Sequence, residues 1–258
     1  MYDLSIVLPT CNRADLLQRS LAAIARKTEC EFEIIVVDGA STDHTTHVLR
    51  DAKLQLGDRL RILREEKREG FVRATNRGFR AATGRNLIWL NDDACPIGDS
   101  LDRAVQQIDS SPADVGFIAM FHRWNAKWNI AHEIEREGRS FQLCHVRGTL
   151  YANFPMAKRA TFEQLDYFDE RYYVRAADPD LSLKAWHAGL RVVPAWESAI
   201  DHDEVDDDRR AADSNFGSED NRKLFEKWDL PPRNPGFNDF NPEMPCTLRG
   251  LRTISIAA

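Results

Sequence analysis

The stretch LIWLNDDACP, residues 87–96, decides how this chain reads. Leu87, Ile88, Trp89 and Leu90 make a short apolar run of the kind that forms a buried strand. Asn91, Asp92 and Asp93 follow at once, with no lysine or arginine in the adjoining sequence to neutralise them. Two carboxylates held close together repel, so at a partly buried site one must protonate or both must share a cation. Asp and Asn offer hard oxygen ligands suited to Mg2+ or Mn2+. The alternative is a solvated acidic turn with Asp93 as a helix cap.

Working outward, the first 110 residues alternate between two patterns. Residues 4–9, 32–38, 60–65 and 86–92 read as buried strands, and 13–27, 41–55 and 71–83 carry helical periodicity, the second helix opened by Ser41 or Thr42. Apolar strands separated by such helices indicate a mostly parallel, Rossmann-like α/β sheet flanked by helices. Ligands of these sheets lie beyond the carboxyl ends of the strands. Pro9-Thr10, Asp38 and Asn91-Asp92-Asp93 all fall at such ends.

The alternation then breaks. Residues 115–124, 139–146 and 148–156 read as aromatic-rich antiparallel strands, followed by a helix over about 179–187 closed by Gly189 and a strand LRVVP. Asp178 and Asp180 stand just ahead of that helix, where a carboxylate is favoured electrostatically. Two acids there are one more than capping requires. After His202 come the acidic run DHDEVDDDRR (201–210), a short amphipathic helix near 221–228 and a Pro/Asn-rich tail.

Whole-chain features narrow the class. The 258 residues carry 35 basic and 41 acidic side chains, a net charge of -6, which argues against a nucleic-acid binder. No stretch approaches the roughly 18 apolar residues of a membrane helix, and the start MYDLSIVLPT lacks the basic region of a signal peptide. Five scattered cysteines without C-x-x-C spacing read as free thiols of a reducing cytosol. The expectation is a cytoplasmic protein, with peripheral association at the inner membrane face left open.

In order, SIVLPTCNR (5–13), IIVVDGASTD (34–43), REGFVRATNRG (68–78), IWLNDDACP (88–96) and YFDERYYVRAADPDLSLKAWHAGLRVV (167–193) resemble family 2 glycosyltransferases of the GT-A fold. The resemblance spans roughly residues 3–203. It implies one GT-A domain over 1–203, with a nucleotide-binding half at 1–110, an acceptor-side half at 111–203, and an irregular extension or lid at 204–258. It further implies that Pro9, Thr10, Arg13, Asp38, Gly70, Asn76, Asn91 and Asp92 line the nucleotide site. Asp93, Asp92 and His202 match positions that bind Mn2+ or Mg2+, and Asp178 matches the general base. The implied reaction is metal-dependent, inverting transfer of a hexosyl or deoxyhexosyl group from a nucleoside-diphosphate sugar to a carbohydrate or other hydroxyl acceptor. UDP or dTDP is favoured because Asp38 matches a reader of the base N–H. Trp124 and Trp128 are candidates to stack on an acceptor sugar.

Three positions depart from the family pattern. Asn91 replaces the first acid of the DxD motif, Ala177 replaces the acid beside the base, and Arg68 replaces a common asparagine before Gly70. Asn91 and Ala177 are the features that support an alternative, a nucleotide-sugar binder that has lost catalysis. A sugar-phosphate nucleotidyltransferase ranks lower, since its glycine-rich basic loop is missing after LSIVLP.

Overall fold

The computed structural model describes residues 2–124, 126, 129–146, 148–203 and 205–229. Its first part is the expected alternation: β1 (Leu4–Thr10), α1 (Ala14–Lys27), β2 (Phe32–Asp38), α2 (Thr45–Leu56), β3 (Leu60–Arg64), α3 (Phe71–Ala81) and β4 (Asn86–Trp89). β1 pairs in parallel with β2 and β4, and β2 with β3. β2 and β4 are buried along their whole length, as continuous apolar strands must be when helices cover both faces.

The remainder comprises β5 (Ala94–Pro96), α4 (Ser100–Ser110), β6 (Val115–His122), β7 (Ile130–Arg136), β8 (Arg139–Val146) and β9 (Thr149–Leu150). β10 (Pro155–Lys158), α5 (Arg159–Gln164), α6 (Ala177–His187), β11 (Arg191–His202) and α7 (Asp208–Lys227) complete it. The sheet runs β3-β2-β1-β4-β10-β6-β11-β5, with β7, β8 and β9 branching from β6. β10 is antiparallel to both β4 and β6, and β11 is parallel to β6. β6 and β11 therefore point the same way as β1, β2 and β4. Thr10, Asp38, Asn91, His122 and His202 all lie at or just past carboxyl ends on one rim.

Several local expectations change. The antiparallel pairing takes in β10 and β5 as well as the β7–β8 hairpin with β9, whereas β11 joins β6 in parallel and extends well past LRVVP. α2 starts at Thr45, and the turn ahead of it is held by Asp43, which accepts the Thr45 N–H at 3.0 Å, rather than by Ser41 or Thr42. α6 begins at Ala177, so Asp178 and Asp180 sit inside its first turn and neither caps it. Residues 100–110 form a helix with Leu101, Ala104, Val105 and Ile108 buried, although their sequence receives no element above. α7 is 20 residues long and starts at Asp208, well ahead of the short helix expected near 221–228. Its buried stripe is Asp213, Gly217, Asp220 and Leu224. Leu224 and Trp228 join the same core cluster as β1 and β4. Among the described residues no helix is long and apolar enough to cross a membrane.

α3 lies directly on the first two strands. A Cβ on Gly78 would overlap the Val7 side chain and come within 3.3 Å of Val37 Cγ2. Added volume in a close-packed interior costs about 1–3 kcal/mol. Gly78→Ala is expected to lower unfolding free energy by that amount in denaturant titration, and an unchanged midpoint would show that α3 is not seated this tightly.

Candidate active site

Asp92 and Asp93 do have a positive partner, brought from far away in sequence. Arg13, the residue preceding α1, is buried, and its Nη1 donates to Asp92 Oδ1 at 3.1 Å and to Asp93 Oδ2 at 2.8 Å. Its Nε donates to Asp207 at 2.6 Å. Thr10 Oγ1 donates to the other Asp92 oxygen at 2.9 Å. Arg210 lies 3.6 Å from Asp93 and Arg209 4.0 Å from Asp92. The solvated-turn alternative is thereby excluded, since Asp92 and Asp93 are 2% and 0% exposed.

These surroundings push the two adjacent carboxyls apart. Burial raises Asp92, against the opposing pull of Arg209 and Arg13. Burial also acts to raise Asp93, but His202, Arg13 and Arg209 outweigh it and bring its pKa to about 2. Asp93 is held ionised at neutral pH. Arg13 stays charged, because Asp207, Asp92 and Asp93 more than offset its desolvation.

The other sequence candidates divide. Asn91 and His202 join the cluster, with Asn91 Nδ2 3.2 Å from His202 Nε2. Pro9 is half-buried in β1 beside it. Asp38 is buried at the end of β2, one oxygen accepting the Ser41 N–H at 3.0 Å and the other 3.6 Å from Arg64. It thus holds its own turn, a duty expected of Ser41 and Thr42. Gly70 has φ +97°, and a Cβ there would meet the Tyr173 ring at 2.7 Å. Asn76 is fully buried, with its amide bonded to both the N–H and the carbonyl of Phe168, so it ties α3 to the 168–170 segment instead of facing a ligand. Arg68 pairs with Asp213 at 2.5 Å. Trp124 is half-buried and stacks on His122 with centroids 5.4 Å apart. Trp128 lies outside the described residues.

Asp178 sits in the first turn of α6 and stands apart from the ion cluster. Its Oδ1 is buried with no hydrogen-bond partner, and desolvation lifts its pKa to about 7. A carboxyl poised near neutrality can accept a proton in general-base catalysis. Asp180, one turn-face away, is engaged otherwise: it accepts from Trp228 Nε1 at 2.6 Å and Tyr172 Oη at 3.2 Å, and pairs with Lys227.

His122 was not singled out by sequence. It ends β6 fully buried, its Nε2 3.1 Å from Asn153 Nδ2, and burial followed by the nearby His202 lowers its pKa to about 3. Asp207, Arg209 and Arg210 were also missed, being hidden in a run that reads as a solvated acidic loop. The only signal in the sequence was the strand VGFIAMFH ending on a polar residue at the rim position.

The donor atoms fit a divalent cation. Asp93 Oδ1 is buried with His202 Nε2 3.2 Å away as its partner, and a divalent ion would draw on these same two atoms. Among the described residues no group of three or more His, Cys, Asp or Glu side chains converges on a metal position. An ion held by only two protein side chains would keep positions for substrate phosphates and water, as metal sites in phosphate chemistry do.

The Glycosyl transferase family 2 profile matches residues 5–166, and the chain belongs to that family. A PGL/p-HBAD biosynthesis glycosyltransferase of Mycobacterium bovis is 32% identical over 185 residues, covering 70% of this chain and 69% of the relative. The mannosyltransferase PcManGT from Pyrobaculum calidifontis, solved with GDP-Man and Mn2+, superposes with TM-score 0.67 at 22% identity. That match covers 91% of this chain and 66% of the mannosyltransferase. S. aureus TarS 1-349 with UDP superposes with TM-score 0.61 at 19% identity, covering 87% and 72%. The protein is a glycosyltransferase with a GT-A fold.

Removing one partner of a buried ion pair typically costs about 3–5 kcal/mol. Arg13→Met is expected to lose stability in that range at neutral pH, and Mn2+ should restore part of it by replacing the missing positive charge. Denaturant unfolding with and without Mn2+ checks this. A loss unaffected by Mn2+ would show that the carboxylates cannot exchange a guanidinium for an ion.

Proposed function

We propose that the chain moves a sugar from a nucleoside-diphosphate sugar to a hydroxyl acceptor with inversion, using Asp178 as general base and a divalent ion held by Asp93 and His202. The observation that carries this reading is the half-buried Asp178 at the head of α6, whose Oδ1 is out of water and unpartnered and whose carboxyl is raised to about 7. When bound, Mn2+ or Mg2+ supplies positive charge to the leaving diphosphate. The chain's own residues do the rest. Asp178 takes the proton from the acceptor hydroxyl as that oxygen attacks the anomeric carbon, and the proton ends on the carboxyl. Arg13, Arg209 and Arg210 crowd the carboxylate rim and add positive charge where the diphosphate leaves.

The donor is a UDP-, dTDP- or GDP-sugar. Asp38 supports a uracil or thymine base by its place at the end of β2. A GDP-sugar is supported by the mannosyltransferase neighbour, whose structure holds GDP-Man. Asn91 and Ala177 favour the non-catalytic reading, but the retained, raised Asp178 favours an enzyme.

Release of nucleoside diphosphate from each donor class, with Mn2+, is the test. Loss of a general base removes about 100- to 10,000-fold of rate, so Asp178→Asn should lose at least 100-fold in kcat while still binding donor. Wild-type kcat should rise with pH through a midpoint near 7, because below it Asp178 carries the proton it needs to accept. A flat acidic limb, or an active Asp178→Asn, would remove Asp178 from the mechanism.

A further inference from the structure

α7 turns an acidic stripe toward the protein, and each member meets a different partner. Asp213 pairs with Arg68 and Arg209 at 2.5 and 3.3 Å. Gly217 lets the Arg175 side chain approach, since a Cβ there would meet its Cδ at 2.8 Å. Asp220, 1% exposed, does something less common. Its carboxylate accepts three successive backbone N–H groups, those of Tyr173, Val174 and Arg175, at 3.0, 2.9 and 2.9 Å. Among the described residues its nearest cation is Lys223, with Nζ 3.9 Å away.

Those three amides precede the turn into α6. Ala176 follows with φ +66°, a left-handed conformation that an alanine adopts only when its surroundings impose it. Ala177 then begins the helix and Asp178 comes next. The same loop also reaches the donor side. The Tyr173 carbonyl accepts the Val72 N–H at 3.2 Å, its ring covers Gly70, and Phe216 of α7 stacks on that ring at 4.0 Å. Without an acceptor, three adjacent N–H groups in this half-buried loop would lose their partners, and the left-handed residue would relax.

We propose that Asp220 is a positioning residue for sugar transfer: by holding the N–H groups of residues 173–175 it fixes where α6 starts and so where the Asp178 carboxyl stands. This rests on the assignment of Asp178 as base. Asp220 touches no substrate; it acts through the loop. Its place on α7 gives the middle of that helix a role in the chemistry, beside the contacts that Asp207, Arg209 and Arg210 make at the carboxylate rim.

Asp220→Asn keeps the volume but replaces an accepting oxygen with a donor facing N–H groups. Hydrogen exchange on the full chain should show faster exchange of the 173–175 amides, with the rest of the protection pattern retained. Misplacing a reacting group by about 1 Å can cost about 100-fold, so kcat for nucleoside diphosphate release should fall at least tenfold with donor KM within about twofold. Asp220→Glu, which keeps the carboxylate but moves it by one methylene, should give the same split to a smaller degree and covers the case in which Asp220→Asn does not fold. Freed amides with unchanged kcat in either variant would overturn the proposal, as would a folded Asp220→Glu whose kcat and donor KM worsen together. An active Asp178→Asn is a different failure and condemns the base assignment. An inactive Asp178→Asn beside a fully active Asp220→Asn condemns only the positioning role.

Discussion

The bond between Arg13 and the Asp92–Asp93 pair is the constraint around which this protein is organised. Two adjacent carboxylates at the mouth of a sheet, both essentially out of water, would each cost several kcal/mol if left uncompensated. One guanidinium bridges them. Because Arg13 is the last residue before α1, the same contact fixes how that helix leaves β1. Because Asp203 N–H binds the Asp93 carbonyl, it also fixes where β11 ends. His202 is delivered beside Asp93 as a result. The pair is unequal: the member next to histidine is held ionised, whereas burial pushes its neighbour up. An ionised oxygen with a neighbouring imidazole is what a divalent ion needs.

α7 closes the arrangement from the opposite side. Its cap residue Asp207 accepts from Arg13, its first turn brings Arg209 and Arg210 to the carboxylates, and its inner acids hold Arg68 and the 173–175 loop. One helix therefore touches the donor rim and, through the loop, the head of α6. Among the described residues, Asp178 differs from these acids in having no cation paired with it. Its raised pKa comes from desolvation alone, which suits a group that has to pick up a proton.

The half of the fold that a sequence makes plain is the half built on apolar periodicity. Continuous runs such as FEIIVVD and NLIW, separated by helical patterns, point to a parallel sheet, and the polar strand ends mark its working rim. The rest is harder for physical reasons. The buried face of α7 is Asp213, Gly217, Asp220 and Leu224, so its helical period is written in acids and reads as a solvated surface. β11 continues past its apolar LRVVP through a register shift that no pattern announces. The counter-charge of Asp92 and Asp93 arrives from Arg13, some 80 residues earlier, and local inspection finds no cation. Asn76 shows the converse. A family position suggests a ligand contact, whereas its buried amide closes on the Phe168 backbone.

The account turns on whether Asp93 and His202 are ligands or only partners in a protein-internal ion cluster. Electron paramagnetic resonance of Mn2+ added to the full chain with UDP or GDP reads this directly. Nitrogen hyperfine coupling from one imidazole, absent in His202→Ala, together with loss of bound Mn2+ in Asp93→Ala, is the expected result. Mn2+ that binds with the nucleotide but shows no protein nitrogen, and that is indifferent to Asp93→Ala, would contradict the account and leave Arg13 as the permanent counter-ion of the pair.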